Sequence, residues 1–296
     1  LISSVIFEAL KKKYPTAELH YLIYENSIAV VKNNPYINKI VILNEKARKS
    51  KREFFKFLYS IRKEKYDVVI DSYGKPNSVL IGFFSGATKT IGFSKPYTKL
   101  LFSNALERPK NSFSKATKAI EHRMLLLEPL GIPFEIIKPK IYLTDQEIDN
   151  AKETLKENNI KINFPIVMIS ALGSNAIKTY PLKYLAQVID SIAVIENIQI
   201  LFNYIPFQKD EAYKLYKLCN SNTQKKIFID FYEPDLRKFL AITSQCKALI
   251  GNEGGATNMA KALNVPTFTI FSPSVPKEDW NIFENDNTNI SVHIKD

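Results

Sequence analysis

Cysteine is almost absent from this chain: Cys219 and Cys246 are the only two in 296 residues. That count excludes a disulfide framework and fits a reducing compartment. Histidine is nearly as scarce, with only His20, His122 and His293. Neither residue type falls at metal-ligand spacing, so no zinc site and no metal or other cofactor is expected. No apolar run approaches the ~20 residues of a membrane span, and the N-terminal sequence carries no signal-peptide pattern. Self-similarity at a period of about 20–50 residues is also missing, which excludes a solenoid or propeller. What remains is a globular composition, 45% hydrophobic and 24% charged. At ~100–200 residues per domain, the length suits two domains with a core each.

The net charge of +11 is unevenly placed. Residues 1–150 hold 25 Lys/Arg against 15 Asp/Glu (+10), and residues 151–296 hold 16 against 15 (+1). The two halves are therefore expected to meet different partners. Lys46 to Lys65 alone carries nine basic and two acidic residues, interleaved with Phe54, Phe55, Phe57, Leu58, Tyr59 and Ile61. Phe54, Phe57, Leu58 and Ile61 fall at helical spacing, which predicts one amphipathic helix with a basic flank. Its basic face is either ordinary solvated surface or a surface for an anionic membrane or acceptor. Nucleic acid is not expected as a partner, because no binding motif accompanies the charge.

Strand and helix patterns alternate along the chain. The pattern predicts a helix over 1–13 and strands at Glu18–Tyr24, Ile40–Leu43, Asp67–Asp71 and around Ile91. A helix over Lys115–Leu130 follows, ended by Gly131 and Pro133. After a proline-containing passage, Thr144-Asp145 caps a polar helix to about Asn158. A second series begins at Pro165–Ser170 (strand) and continues with a helix at Pro181–Ile195, a strand at Gln199–Asn203 and a helix at Lys209–Leu218. A strand at Lys226–Asp230, a helix at Glu233–Ser244 and a last strand at Ile290–Ile294 complete it. Strands alternating with 10–15-residue helices imply parallel sheets with right-handed crossovers. The expected fold is α/β: two doubly wound, Rossmann-like domains, 1–155 and 156–296, facing across a ligand cleft.

The segment LIGNEGGATNMAKALNVPTFTIF (Leu249–Phe271) reads as strand, glycine-containing turn from Gly251, helix from Asn258 to Leu263, and strand. A helix N-terminus carries about half a positive charge and seats phosphate well. Glu253 adds a carboxylate suited to a neighbouring hydroxyl. The alternative is an ordinary α/β crossover turn. Three further loops lie at the carboxyl ends of strands, where open α/β sheets bind ligands. SALGSNAIKTYP holds Gly173, Ser174 and Lys178; the lysine either neutralises a diphosphate or is solvated surface. DSYGKPNS (Asp71–Ser78) is rich in hydroxyl and amide groups. Tyr204–Glu211 places Gln208 where it can touch a ribose.

Together these motifs resemble the bacterial heptosyltransferase-like glycosyltransferases, glycosyltransferase family 9. SQCKALIGNEGGATNMAKALNVPTFTIFSPS (Ser244–Ser274) is similar to the family's cysteine–apolar–GN(D)SGP–helix–P signature. KTYP (Lys178–Pro181) resembles its lysine–x–aromatic–proline motif, and VIDSYGKPNS (Val69–Ser78) its acceptor-side loop. The resemblance covers essentially the whole chain, in order. It implies a GT-B fold and inverting transfer of a sugar, most often heptose from ADP-heptose, to the inner core of lipopolysaccharide. The nucleotide sugar is then a co-substrate and an anionic glycolipid the acceptor. The expected location is cytoplasmic, peripheral on the inner face of the bacterial inner membrane.

By resemblance, Gly254, Gly255 and Ala256 present amides to the donor diphosphate, and Thr257 adds a hydroxyl. Lys178 neutralises the same phosphates beside Gly173 and Ser174. Glu253, where the family usually has aspartate, bonds sugar hydroxyls; Gln208 stands where some members hold the ribose with glutamate. Asn258 replaces the usual histidine and cannot carry a charge. Asp71, Ser72, Lys75 and Asn77 form the acceptor side. Members normally open with an apolar strand and a Gly-Asp loop whose aspartate is the expected general base. This chain starts in the helix that would follow, so the resemblance implies a truncated or partly ordered chain, with the base before residue 1. A chain ending shortly after Ile290–Ile294 also looks short for the family. The other readings are a sugar-nucleotide-binding protein without catalysis and a nucleotide-sugar epimerase of similar build.

Overall fold

Ile166–Ser170 is apolar almost throughout, and every residue in it is buried. Such a run suits the centre of a parallel sheet, covered on both faces. In the computed structural model, which describes residues 1–285 and 287–295, it forms strand β6 of the second of two compact units. These units are Leu1–Pro139 and Lys140–Asp296. The expected boundary at 155 lies near the end of a helix, α5 (Asp145–Glu157), that belongs to the second unit. Counted over the units, 24 Lys/Arg stand against 12 Asp/Glu in the first (+12) and 17 against 18 in the second (−1).

In the first unit all strand pairs are parallel. β1 (His20–Ile23) pairs with β2 (Lys39–Ile42). β3 (Val68–Asp71), β4 (Lys89–Phe93) and β5 (Asn104–Leu106) form a separate sheet in that order. Helices α1 (Val5–Lys13), α2 (Lys51–Lys63), α3 (Pro76–Phe84) and α4 (Lys118–Leu125) accompany them. The single basic helix expected over Lys46–Lys65 is in fact two. A short helix, Glu45–Lys49, stops at Ser50, whose extended backbone and hydroxyl cap α2 by accepting from Glu53 N. The inward stripe is as expected: Leu58 and Ile61 are buried with Ile81 of α3, and Phe54 and Phe57 pack beside them. The helix expected over Lys115–Leu130 is shorter. Thr117, at φ 71°, precedes α4, and a 3-10 turn over Glu128–Leu130 ends at the left-handed Gly131.

The second unit is one parallel sheet, ordered β10-β9-β8-β6-β7, with β7 at Gln199–Asn203, β8 at Ala248–Asn252, β9 at Thr267–Phe271 and β10 at Asn289–His293. Strand alternation divides its core. Val167, Ile169, Ile200 and Phe202 pack with Leu185 and Ile189 of α6 (Leu182–Ile192) and Leu215 of α7 (Lys209–Leu218). Ile166, Met168, Leu201 and Leu249 pack on the other face with Leu155 of α5 and Ile242 of α8 (Leu236–Thr243). Each such side chain, fully buried, contributes roughly 1.5–3 kcal/mol.

Thr144 and Glu147 close the expected capping box at the start of α5. Glu147 also takes two bonds from Arg237 of α8, Nε to Oε1 at 2.9 Å and Nη2 to Oε2 at 2.8 Å. That bidentate pair attaches α5 to the second unit's core.

Two expectations fail here. Lys226–Asp230 is not a strand: Ile227 makes a single parallel bridge to Ile200, and the chain turns where Phe231 N bonds Phe228 O. The signature loop is also shifted. β8 continues through Gly251 to Asn252, and helix α9 runs Gly255–Ala262, so the turn is only Glu253-Gly254. Gly251 is required in the strand because its φ is 128° and a Cβ there would lie 2.4 Å from Ser170 O on β6. Among the described residues, no helix is long and apolar enough to cross a membrane.

Candidate functional site

From β6 the chain crosses to β7 on one side, then returns to β8 on the other side of β6. The switch point of the sheet therefore lies between β6 and β8, where crossovers leave in opposite directions and open a crevice at the carboxyl ends. The loops after these two strands are 171–181 and 253–254; they hold Gly173, Ser174, Lys178, Glu253 and Gly254 of the expected donor-side residues, and Gly255, Ala256, Thr257 and Asn258 follow in α9.

Asn252 joins the two loops. Its side chain is fully buried, with Oδ1 accepting from Tyr180 N at 2.6 Å. Nδ2 donates to Ser170 O at 2.9 Å and Ala171 O at 3.0 Å. The motif's asparagine thus fixes the far end of the loop that carries Lys178. Within that loop, Asn175 caps a 3-10 turn, Ala176–Lys178, by accepting from Lys178 N at 3.1 Å. Gly173 is packed against this turn: a Cβ on it would lie 2.3 Å from Lys178 O. Gly173 N donates to Thr179 Oγ1 at 3.1 Å, and Gly173 O accepts from Gln208 Nε2 at 2.8 Å. Gln208 Oε1 in turn accepts from Ile205 N at 3.2 Å. The structure thus brings Gly173, Lys178 and Gln208 together, with Ser174 exposed at the tip of the loop.

In α9 the first intrahelical bond runs from Asn258 N to Gly254 O, 3.3 Å. The amides of Gly255, Ala256 and Thr257 precede it, in the open first turn of the helix. A Cβ on Gly254 would meet nothing within 4 Å, so the approach to this turn is clear. Thr257 differs from expectation. Its hydroxyl is buried and donates to Asn252 O at 3.2 Å, so its proton faces the strand and not a ligand. Asn258 is half-buried, one turn into the helix.

Glu253 is half-buried beside these groups. Burial raises its carboxyl above the ordinary glutamate value, while the charges of Lys178 and Lys261 pull it back down. A raised folded-state pKa means that the native protein holds this proton more tightly than the unfolded chain does. Its stabilising contribution is therefore greatest below the ordinary glutamate pKa and falls as pH rises through the raised one. Glu253→Gln should flatten that decline, a comparison made by urea midpoints of both proteins across the acid range. A wild-type midpoint that rises over this window relative to the variant would refute the assignment.

Lys261 was not legible as a site residue. It is 1% exposed on the inner side of α9, with Nζ donating to Asn281 Oδ1 at 2.7 Å and Ile282 O at 2.9 Å. Asn281 continues to Ser291 Oγ at 2.8 Å. The lysine thereby anchors α9 to the chain that follows β9. A lysine between Ala260 and Ala262 gives no sequence signal of burial; the asparagine in the apolar run before β10 is the only hint.

In the first unit, the loop after β3 is organised around Asp71. Asp71 is buried, its Oδ1 accepting from Tyr73 N (2.9 Å) and Gly74 N (2.8 Å) and its Oδ2 from Ser78 Oγ (2.8 Å). Ser72 Oγ bonds Ser3 Oγ at 3.2 Å. Lys75 and Asn77 are exposed. Lys95, not anticipated, joins them by donating to Gly74 O at 2.7 Å. Among the described residues, no group of three or more His, Cys, Asp or Glu is arranged to hold a metal ion.

A doubly wound α/β unit with a built loop pair at its switch point is the arrangement in which open parallel sheets bind ligands at their carboxyl edge. Residues 54–296 match glycosyltransferase family 9 (heptosyltransferase), and the chain belongs to that family. It is 24% identical over 279 residues to lipopolysaccharide heptosyltransferase 1 of Campylobacter coli, covering 91% of this chain and 79% of that protein. Among solved structures, the glycosyltransferase family 9 protein of Veillonella parvula superposes with a TM-score of 0.86 at 17% identity, over 100% of this chain and 83% of its own. Escherichia coli heptosyltransferase WaaC with ADP-2-deoxy-2-fluoro heptose does so with a TM-score of 0.68 at 16% identity, over 99% and 90%. The fold is the GT-B type, and the chain is a glycosyltransferase of the heptosyltransferase-like family.

Proposed function

We propose that this chain transfers heptose from ADP-heptose, with inversion, to the core of a lipopolysaccharide or a related cell-envelope glycan. One observation supports this reading above the others. Asn252 ties the β6 and β8 loops together, so that Lys178, Glu253 and the first turn of α9 share one edge of the sheet. In the proposed reaction the acceptor oxygen bonds the anomeric carbon opposite the nucleotide. The bond from that carbon to the diphosphate oxygen breaks, and the acceptor proton passes to a general base. The leaving ADP gains negative charge as it departs. Lys178 and the amides of Gly254, Gly255 and Ala256 are assigned to that charge, as preorganised donors suited to it.

Glu253 is assigned to sugar hydroxyls and not to proton removal. Gln208 and Ser174 complete the donor side; the Gln208 amide holds Gly173 and keeps a second N–H for a ribose hydroxyl. Lys75 and Asn77 are assigned to the acceptor, with Ser72 beside them and Asp71 shaping their loop. Curated relatives named as lipopolysaccharide heptosyltransferases, and a solved relative with an ADP-heptose analogue, support the choice of donor and acceptor.

Calorimetric titration tests the donor. ADP-heptose should bind at least tenfold more tightly than UDP- and GDP-sugars, and transfer to a heptose-less core acceptor should follow. Tighter binding of a UDP- or GDP-sugar would overturn the donor assignment.

A further inference from the structure

Helices α2 and α3 pack through Leu58, Ile61 and Ile81, which leaves one flank of each facing outward. On α2 that flank carries Phe55 and Tyr59, each 63% exposed. On α3 it carries Leu80 (36%), Phe83 (50%) and Phe84 (40%), a stripe at helical spacing. The two flanks adjoin, because Arg62 of α2 reaches across to Phe84 O at 3.4 Å. Phe83 and Phe84 meet edge to face at 5.4 Å, and Lys63 Nζ lies 4.6 Å over the Tyr59 ring. Large exposed apolar side chains gathered on one surface mark an interaction site rather than ordinary surface scatter.

From this juxtaposition we infer that the α2–α3 face is a membrane-docking surface, taking an anionic phospholipid bilayer with Phe55, Tyr59, Leu80, Phe83 and Phe84 in the interface. Charge selects this occupant over a second copy of the chain. Lys51, Arg52, Lys56, Arg62 and Lys63 stand on the same helix, within a unit of net charge +12. Two such faces meeting would set these cations against each other, whereas an anionic leaflet neutralises them. Aromatic rings with basic neighbours suit the headgroup boundary, where the ring is half-buried and the charge stays in contact with phosphate. None of the five apolar residues lies in the assigned donor or acceptor machinery, so this inference stands apart from the proposed reaction.

Sedimentation of the chain with phosphatidylglycerol-containing vesicles, against pure phosphatidylcholine, tests it. Binding is expected to the first only, to weaken as salt rises, and to fall about fivefold for each basic residue of α2 replaced. The variant Phe55→Ser/Tyr59→Ser/Phe83→Ser/Phe84→Ser should lose vesicle binding while keeping its circular dichroism and its transfer rate to a soluble core oligosaccharide. Equal sedimentation of variant and wild type would overturn the face, as would binding to phosphatidylcholine alone. A concentration-dependent dimer of the wild type, abolished in the variant and accompanied by no vesicle binding, would assign the face to a second copy. Loss of transfer in the wild type would sink the proposed reaction and leave the vesicle result standing.

Discussion

Lys178→Ala should lower the turnover of sugar transfer by about 10²–10³, the usual effect of removing one preorganised donor from a developing oxyanion. The fold should survive. The loop is held through the backbone of this residue: its N–H bonds Asn175, and its carbonyl packs against Gly173. Alanine keeps both. A charge on the leaving diphosphate grows only as the bond breaks, so the loss should fall mainly on kcat, with a smaller rise in KM. A second signature is electrostatic. Lys178 is one of two cations that pull the Glu253 carboxyl down against burial, so without it that carboxyl titrates higher. An NMR titration of the Glu253 carboxyl should therefore move to higher pH in the variant. Lys178→Arg keeps the charge and should recover part of the rate. An unchanged kcat in the alanine variant, with transfer measured at saturating donor, would remove Lys178 from the mechanism.

The second unit was far more legible than the details of its site. β7 and α7 fall where the pattern puts them, at Gln199–Asn203 and Lys209–Leu218. Both have a local cause: an apolar strand covered on two faces, and an amphipathic run with acidic residues in its first turn. The capping box at Thr144 is legible for the same reason, since its partner Glu147 is three residues away. Most of what failed was non-local. KIFID alternates like a strand, yet β7 offers it only one bridge, at Ile200. Gly251 looks like the start of a turn; its role is to let β8 pass close to Ser170 of another strand. One miss was local: Ser50 divides the basic helix into two, its side chain capping the second by a bond to Glu53 N only three residues on.

In the site, residue types were legible and their partners were not. Thr257 sits where a phosphate ligand is expected, but its hydroxyl turns to Asn252 O. Lys261 reads as solvent-facing and is buried. The glycines of the family signature mark the turn after β8, whose exact start depended on pairing between β8 and β9.

Asn252→Ala should produce the largest stability loss in the second unit, about 3–5 kcal/mol. Three backbone groups depend on this one amide: Tyr180 N–H, Ser170 C=O and Ala171 C=O. Each buried group left unpaired costs about 1–3 kcal/mol, and the three are not additive because they share one side chain. Against a total of roughly 5–15 kcal/mol, that loss leaves the native state marginal. Asn252→Asp is the sharper probe. A carboxylate can still accept from Tyr180 N–H, but it sets negative charge against two carbonyl oxygens that formerly received an N–H. It should therefore be no better than alanine, although it differs from asparagine by a single group. Urea unfolding should show the midpoint falling with little change in slope. Transfer should fall too, under conditions where the variant is still folded, because the loop carrying Lys178 loses its anchor at Tyr180. A variant that loses less than about 1 kcal/mol would mean that Ser170, Ala171 and Tyr180 find other partners. The joining of the β6 and β8 loops would then not rest on this asparagine.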